Sequence, residues 1–304
     1  MRIVPQAIDS VIRAIGGTPL VRLEKLEWPG GPRLLAKCEF LGPGNAIFDR
    51  AAAAVFEAAD HAGHLEPGRS LVAVGGTDAS ISLAMVASAR GHPLTVVVPK
   101  SLNIERRRAL TDYGATLSAI EDEGGAAAGQ EAAMVIARTT RALYFDLFEG
   151  AEIVHSYEPI GREIIEALGH VPALVVCGLD LGAIPTGIAR GLRTGRVVAV
   201  EPDAARVASA GTFGWHLLGG LAPAPVAAAL DRSVVSEFEA VDDRAAWDMA
   251  ERLSRETGIL GGIASGAVLV AALRRARNFS SAAEVVAVLP DSGERRFMIA
   301  DQFA

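Results

Sequence analysis

The chain has 304 residues with 29 basic and 36 acidic side chains, which gives a formal net charge of −7 at pH 7. This length can bury a core that folds without disulfides or metal ions, and the acidic balance with scattered basic residues excludes nucleic acid as an expected partner. Half of the residues are hydrophobic, but glycine and aspartate interrupt the most apolar stretches, so we predict no membrane span and no membrane partner.

Two cysteines, Cys38 and Cys177, each lie within an apolar run typical of a strand. We interpret both as small buried hydrophobic residues, and we predict neither a disulfide nor a metal site. The first residues, MRIVPQAIDS, lack the basic and apolar regions of a secretory signal. We therefore expect a cytoplasmic protein.

Short β-branched runs alternate with alanine-rich segments along the chain. The first series pairs strands at 69–74, 94–100 and 115–120 with helices that follow each of them, the first at 80–90 and the last near 126–138. This spacing is typical of βαβ units, which need a mainly parallel sheet covered by helices. A second series places strands at 173–178, 197–202 and 284–290, with a helix that ends near residue 192.

Two series of this kind predict an α/β fold with two lobes and a cleft between them. We place an N-terminal segment at residues 1–38 against the larger lobe, the smaller lobe at 39–147 and the larger lobe at 148–304. Ligands of open α/β sheets bind beyond the carboxyl ends of strands. The loops after Val74, Cys177 and Val200 are therefore the candidate site.

Ordered sequence blocks cover almost the whole chain. They are IGGTPLVRL from Ile15, AKCEFLGPGNAIFDRAA from Ala36, SLAMVASARG from Ser82, IERRRALTDYGA from Ile104, VVAVEPDA from Val197, GILGGIASGA from Gly258 and VLPDSGER from Val288. Together they resemble the cysteine synthase and cystathionine β-synthase family of fold-type II pyridoxal phosphate enzymes. The resemblance implies a tryptophan synthase β-like architecture, a homodimer and β-replacement chemistry.

The lysine expected by this resemblance is absent. The family forms a Schiff base with the cofactor through a lysine in a context like S-V-K-D-R, and the corresponding segment here is AIFDR, with Phe48 at the lysine position. A phenyl ring has no amine to supply. Lys37 could be a relocated amine, but active relatives have a lysine at that place too, so we favour a structural role.

The phosphate loop of the family, similar to G-T-G-G-T, corresponds here to residues 180–184. Such a loop binds phosphate because its N–H groups and the following helix converge on the anion. Asp180 opens this loop with a negative charge, while Leu181 and Ile184 replace two hydroxyl donors. Gly182 is retained. We therefore predict that the loop disfavours phosphate.

Three further positions depart from the family. The loop that resembles T-S-G-N-T is Gly75-Gly76-Thr77-Asp78-Ala79, so an acceptor replaces an amide at Asp78. Ala264 replaces the serine that the resemblance assigns to the pyridine nitrogen, with Ser265 beside it, and Tyr144 stands where the family tends to place glutamine. A structural interpretation also stays open, in which Asp78 or Ser80 caps a helix and has no role in ligand binding. The predicted ligand cleft is formed by Asn45, Phe48, Gly75, Gly76, Thr77, Asp78, Tyr144, Asp180, Gly182, Ala264 and Ser265.

These losses predict that the chain binds no cofactor, although the family implies pyridoxal phosphate. With Asp78 and Asp180 in place of the family's donors, we expect the cleft to repel anions and to favour a neutral or cationic ligand such as an amine.

Three hypotheses follow. The first is a binding or regulatory pseudoenzyme that forms a homodimer or joins a paralogous enzyme or another protein, because the family's cleft takes the C-terminal peptide of a serine acetyltransferase. The second is an enzyme rebuilt on Asp78 and Asp180 as candidate repurposed carboxylates, without pyridoxal phosphate. The third is residual transferase activity on O-acetylserine or a similar activated serine. We name no catalytic residue for any of them.

Overall fold

The computed structural model describes residues 7–147, 150–219, 221 and 229–303. Residues 1–6 of the predicted N-terminal segment lie outside the described residues. The predicted lobe boundary at 147/148 lies at the edge of a described range, because residue 148 is not described. Within the described ranges the chain forms two sheets. The smaller sheet has the strand order β5-β4-β3-β6, and all three pairings in it are parallel. Its strands are β3 (Leu71–Val74), β4 (Leu94–Pro99), β5 (Thr116–Ile120) and β6 (Leu143–Phe145).

The larger sheet has the order β1-β2-β10-β7-β8-β9, and only its edge strand β1 runs antiparallel. Its strands are β1 (Leu20–Arg22), β2 (Arg33–Cys38), β7 (Leu174–Gly178), β8 (Val197–Pro202), β9 (Glu237–Val241) and β10 (Glu284–Leu289). The central strands β7, β8 and β10 are buried along their whole length, as expected for parallel strands covered on both faces.

Eight α-helices cover the sheets within the described residues. They are α1 (Asp49–His61), α2 (Asp78–Ala89), α3 (Ile104–Asp112), α4 (Gly125–Thr140), α5 (Ala151–Leu168), α6 (Ala183–Leu192), α7 (Asp243–Thr257) and α8 (Ile263–Ala276), and 3-10 turns follow over Gly293–Gln302. One hydrophobic cluster runs through both sheets and joins the lobes, for example through Phe56, Val96, Val175 and Ile188.

Helices α5 and α6 pack against each other through glycine. An added Cβ at Gly187 would lie 2.4 Å from the carbonyl oxygen of Val154, and one at Gly191 would lie 2.1 Å from that of Glu158. Larger side chains would push the helices apart, so these glycines hold α6 close to α5. The N-terminus of α6, which carries the predicted phosphate loop, is thereby fixed beside the end of β7.

The predicted α/β fold with two mainly parallel sheets is confirmed. The three strands of each predicted series are present, together with the helices between them. Helix α2 begins at Asp78, two residues earlier than predicted. None of the described helices combines the length and apolarity that a membrane span requires.

Candidate functional site

A small inner cavity lies beyond the carboxyl ends of β7 and β10. Its volume is about 20 Å³, and a cavity needs roughly 10–15 Å³ to hold one water molecule. Phe48 is 8% exposed and forms part of the wall. The segment before it is tied to the end of β10, since Ile47 donates its N–H to Pro290 O at 2.9 Å. The cavity is lined by Ile47, Phe48, Asp78, Gly178, Ile184, Gly219, Leu221, Ala264, Val288, Pro290 and Asp291.

No lysine lines the inner cavity among the described residues. Lys37 is 1% exposed, and its ammonium group donates to Thr18 O at 2.6 Å, to Thr18 Oγ1 at 2.5 Å and to Glu163 Oε2 at 2.5 Å. An ammonium group has three donors, and all three are used. The geometry therefore favours the structural role that we predicted for Lys37, in a buried network with Glu39 and Arg50.

The loop before α6 is packed against the chain itself. Gly182 precedes the helix with φ 88°, and an added Cβ there would lie 2.5 Å from Leu230 Cβ. Thr186 donates its hydroxyl to Ala229 O at 2.9 Å and accepts from the N–H of Asp231 at 3.0 Å. The 229–231 segment thus covers the first turn of α6, and Ile184 is the residue of this loop that reaches the inner cavity.

Asp180 lies outside the inner cavity, although the sequence predicted it in the ligand cleft. It is only 6% exposed, adopts φ 45° and does not line the inner cavity. Burial raises its pKa to about 7, which the N–H of Leu181 opposes only in part. At neutral pH this carboxyl is therefore close to half protonated. Of the two candidate repurposed carboxylates, Asp78 lines the inner cavity and Asp180 does not, and their catalytic use stays a prediction.

The loop between β3 and α2 is held by main-chain contacts. Gly75 donates its N–H to Val97 O at 2.8 Å, and Gly76 donates to Ser80 Oγ at 3.3 Å. Ser80 donates to Thr77 O at 2.7 Å, and Thr77 occupies the N-cap position without a side-chain hydrogen bond. The interpretation of Asp78 or Ser80 as a side-chain cap of α2 is therefore wrong.

Asp78 carries two arginine partners instead. Its Oδ1 accepts from Arg106 Nη2 at 3.3 Å, and its Oδ2 lies 2.7 Å from Arg295 Nη1. One carboxylate thus faces two guanidinium groups, which remain charged in proteins. The prediction that Asp78 makes the cleft repel anions stays a prediction, because two guanidinium groups offset the charge of this carboxylate.

Helix α8 begins at the residues that the resemblance assigns to the pyridine nitrogen. Ala264 is 2% exposed and lines the inner cavity, whereas Ser265 is fully buried and donates to Asp291 Oδ1 at 2.6 Å. The N–H groups of Ala264 and Ser265 also donate to the Asp291 carboxylate, at 3.1 and 2.7 Å. The hydroxyl of Ser265 is therefore directed to Asp291 and not offered to a ligand.

Asp291 is a site residue that the sequence analysis missed. Burial raises its pKa to about 6, while the hydrogen bonds from Ser265 oppose the rise and the nearby charge of Asp78 adds to it. Its position directly after the central strand β10, beyond Pro290, was the available signal, because ligands bind beyond such strand ends.

A larger outer pocket of about 330 Å³ lies on the other side of Asp78. Asn45 belongs to this pocket and not to the inner cavity, and it adopts φ 58°. Tyr144, on the edge strand β6, lines neither space. The outer pocket is lined by Gly44, Asn45, Asp78, Ile81, Glu105, Arg106, Ala109, Tyr113, Glu294 and Arg295.

Comparison with known proteins places this geometry in a family. A family model described as "Pyridoxal-phosphate dependent enzyme" matches residues 11–291. The chain belongs to that family. It is 34% identical to O-ureido-L-serine synthase of Streptomyces lavendulae, with 94% of this chain and 90% of that protein covered, and 30% identical to a cysteine synthase of Staphylococcus aureus, with 95% of each covered.

Solved structures agree with this membership. A crystal structure of O-ureido-L-serine synthase superposes with a TM-score of 0.92 at 31% identity, over 95% of this chain and 93% of that one. The predicted resemblance to the cysteine synthase family and its fold-type II architecture are thus confirmed. The chain is a cysteine synthase-like protein.

The prediction that the chain binds no cofactor is wrong by this comparison. The matching family is pyridoxal-phosphate dependent, and relatives of near-complete coverage point to pyridoxal phosphate as the cofactor. The inner cavity does not fit the family's way of holding it, however, because Phe48 offers no amine and the volume accommodates about one water molecule.

Within the described ranges, no group of three or more histidine, cysteine, aspartate or glutamate side chains is placed to hold a metal ion. Cys38 and Cys177 are both buried and unbonded to one another.

Proposed function

We propose that this cysteine synthase-like protein does not carry out lysine-dependent β-replacement and acts as a binding or regulatory protein. The observation that supports this most directly is the inner cavity of about 20 Å³, whose wall contains Phe48, the residue that the resemblance aligns with the family's lysine. A β-replacement enzyme needs a positioned amine beside the reacting carbon. Here a phenyl ring occupies that part of the wall.

The rest of the chain does not compensate for this loss. Lysine occurs only at positions 25, 37 and 100. The ammonium group of Lys37 donates hydrogen bonds to Thr18 and Glu163 through all three of its donors. Lys100 is exposed and forms a salt bridge with Glu121. An amine whose three donors are engaged by Thr18 and Glu163, and which does not line the inner cavity, is not placed to attack a carbonyl carbon there.

A second candidate function is favoured by the relatives. O-ureido-L-serine synthase and cysteine synthase are enzymes by name, and both align over nine-tenths or more of this chain. Residual transferase activity on O-acetylserine or a similar activated serine, with pyridoxal phosphate as cofactor, is compatible with that similarity. It would require another group to take over the role of the lysine.

A direct assay separates the two candidates. Purified protein is incubated with O-acetylserine, sulfide and excess pyridoxal phosphate, with the Staphylococcus aureus cysteine synthase as the positive control. Under the first proposal, cysteine forms at the rate of the protein-free blank. Cysteine formation well above the blank, proportional to protein concentration, would refute the first proposal and establish the second.

The same proposal includes the assembly and location of the protein. We expect a homodimer with an apolar interface, or association with a paralogous enzyme or another protein, in the cytoplasm. The two buried thiols fit a reducing compartment, where disulfides are rare.

A further inference from the structure

The outer pocket brings two guanidinium groups to the partly buried carboxylate of Asp78. Arg106 on α3 and Arg295 in the 3-10 segment each contact one oxygen of Asp78, at 3.3 and 2.7 Å. The side chains of Arg106, Arg295 and Asp78 are 27%, 16% and 15% exposed, so water screens this cluster only partly. One carboxylate cannot neutralise two such cations.

One nitrogen of each guanidinium group has no hydrogen-bond acceptor. Within the described part of the chain, Arg106 Nε and Arg295 Nη1 are buried without a hydrogen-bond partner, since the short approach of Arg295 Nη1 to Asp78 lacks hydrogen-bond geometry. Arg295 uses Nη2 to donate to Gly44 O at 2.7 Å, which holds its side chain in place. These two nitrogens are closed off from solvent, so an anionic ligand in the pocket would meet the exposed parts of the two guanidinium side chains, 27% for Arg106 and 16% for Arg295.

The remaining walls supply two other kinds of surface. Ile81 and Ala109 give the pocket an apolar side, next to the ring of Tyr113. Glu105 and Glu294 also line it but are exposed, so their charge lies on the solvent side. The pocket therefore has positive charge near Asp78, negative charge towards solvent and an apolar wall.

We propose that the outer pocket binds a small zwitterion with a carboxylate, an ammonium group and an apolar side chain, as in a free α-amino acid. The carboxylate contacts Arg106 and Arg295, the ammonium group is directed to Glu105 or Glu294, and the apolar part packs on Ile81 and Ala109. A volume of about 330 Å³ is at the lower end of that of known small-molecule pockets, roughly 300–1,000 Å³. This site is separate from the inner cavity and does not depend on whether catalysis is retained there.

Isothermal titration calorimetry with L-leucine, propionate and L-leucinamide tests the proposed chemistry. L-leucine is expected to bind, propionate to bind more weakly because it lacks the ammonium group, and L-leucinamide not to bind because it lacks the carboxylate. The tripeptide Gly-Gly-Leu with a free or an amidated C-terminus separates a free amino acid from a peptide end. Tighter binding of the free-end tripeptide than of L-leucine would overturn the assignment to a free amino acid.

Matched variants test the residues. Arg106→Gln should weaken L-leucine binding about tenfold or more, because a charge-assisted hydrogen bond is lost. Arg108→Gln is the control, since Arg108 lies exposed on the same helix and does not line the pocket. Asp78→Asn should strengthen binding, because it removes the anion that competes for both arginines. Circular dichroism confirms that each variant is folded.

The pattern of results decides the proposal. Weaker binding by Arg106→Gln, stronger binding by Asp78→Asn and no change by Arg108→Gln support it. Failure of L-leucine and propionate to bind at millimolar concentration, or an affinity that is indifferent to Arg106→Gln, would overturn it. The cysteine-forming assay is a separate readout, so failure of this site and failure of the proposed function are distinguishable.

Discussion

Replacing Glu163 by glutamine should lower the free energy of unfolding by about 3.5 kcal/mol at pH 7. Glu163 accepts from Arg50 Nη1 at 2.9 Å, from Arg50 Nη2 at 2.8 Å, from Lys37 Nζ at 2.5 Å and from Gly17 N at 3.2 Å. Burial alone would raise the pKa of this carboxyl, but hydrogen bonds and charge from Arg50 and Lys37 lower it to about 2. Its ordinary value is 4.5. At about 1.4 kcal/mol per pH unit, this difference gives the stated figure.

The pH dependence of this effect has a defined sign. A carboxyl with a lowered folded-state pKa stabilises the fold above its unfolded pKa of 4.5, and that contribution is lost as the pH falls towards 2. The difference between wild type and Glu163→Gln should therefore shrink from about 3.5 kcal/mol at pH 7 to about 1.4 kcal/mol at pH 3. Because the side chain is 22% exposed, solvent screening makes both figures upper values.

Urea unfolding measures this difference. The free energy is taken where tryptophan fluorescence and circular dichroism report coincident transitions, since two lobes can unfold separately. Glu166→Gln is the control, because Glu166 is exposed on the same helix and its loss should change the free energy by less than about 0.5 kcal/mol. A Glu163→Gln effect as small as the control, or one equal at pH 7 and pH 3, would refute the structural role of the Lys37 network.

Three further outcomes are expected. Phe48→Lys should leave cysteine formation at the blank rate, because the new amine would face Asp78 and Asp291 across the inner cavity and stay protonated; robust sulfide-dependent product would contradict this. Asp180→Asn should raise the free energy of unfolding by a few kcal/mol at pH 8 and by little at pH 4, because a carboxyl with a raised folded-state pKa lowers stability progressively as the pH rises from 3.8 to about 7; equal urea-unfolding changes at both pH values would contradict it. Light scattering at micromolar concentration should give twice the chain mass, and a monomer would count against the proposed dimer.

The hydrophobic pattern predicted the main strands, because each of them is a short run of apolar residues that can be recognised in the local sequence. Runs such as LVVCG and VVAVEP are buried throughout, and a short continuous apolar run of this kind is typical of a buried strand. Strand β9 and helix α7 did not enter the prediction. Glu237–Val241 contains charged residues and sits at the sheet edge, where burial is incomplete, so its pattern is weaker.

The site was harder to predict because its charges are set by residues far apart in sequence. Asp78 meets Arg106 from 28 positions along the chain and Arg295 from the C-terminal segment. Counting carboxylates in a motif could not reveal those partners. The resemblance predicted that Phe48 and Ala264 line the cavity. It could not predict that Asn45 lines the outer pocket instead, because that depends on the three-dimensional structure.

The carboxylates around the cleft are accommodated in three different ways. Asp78 is neutralised by two arginines, Asp291 receives the N–H groups at the start of α8, and burial raises the pKa of Asp180 until it is about half protonated at neutral pH. A buried carboxylate without such help would be strongly unfavourable. The field of this cleft therefore cannot be derived from its acidic residues alone. In the outer pocket Arg106 and Arg295 lie with Asp78, Glu105 and Glu294, so a ligand there would meet charges of both signs, which is the arrangement that a zwitterion requires.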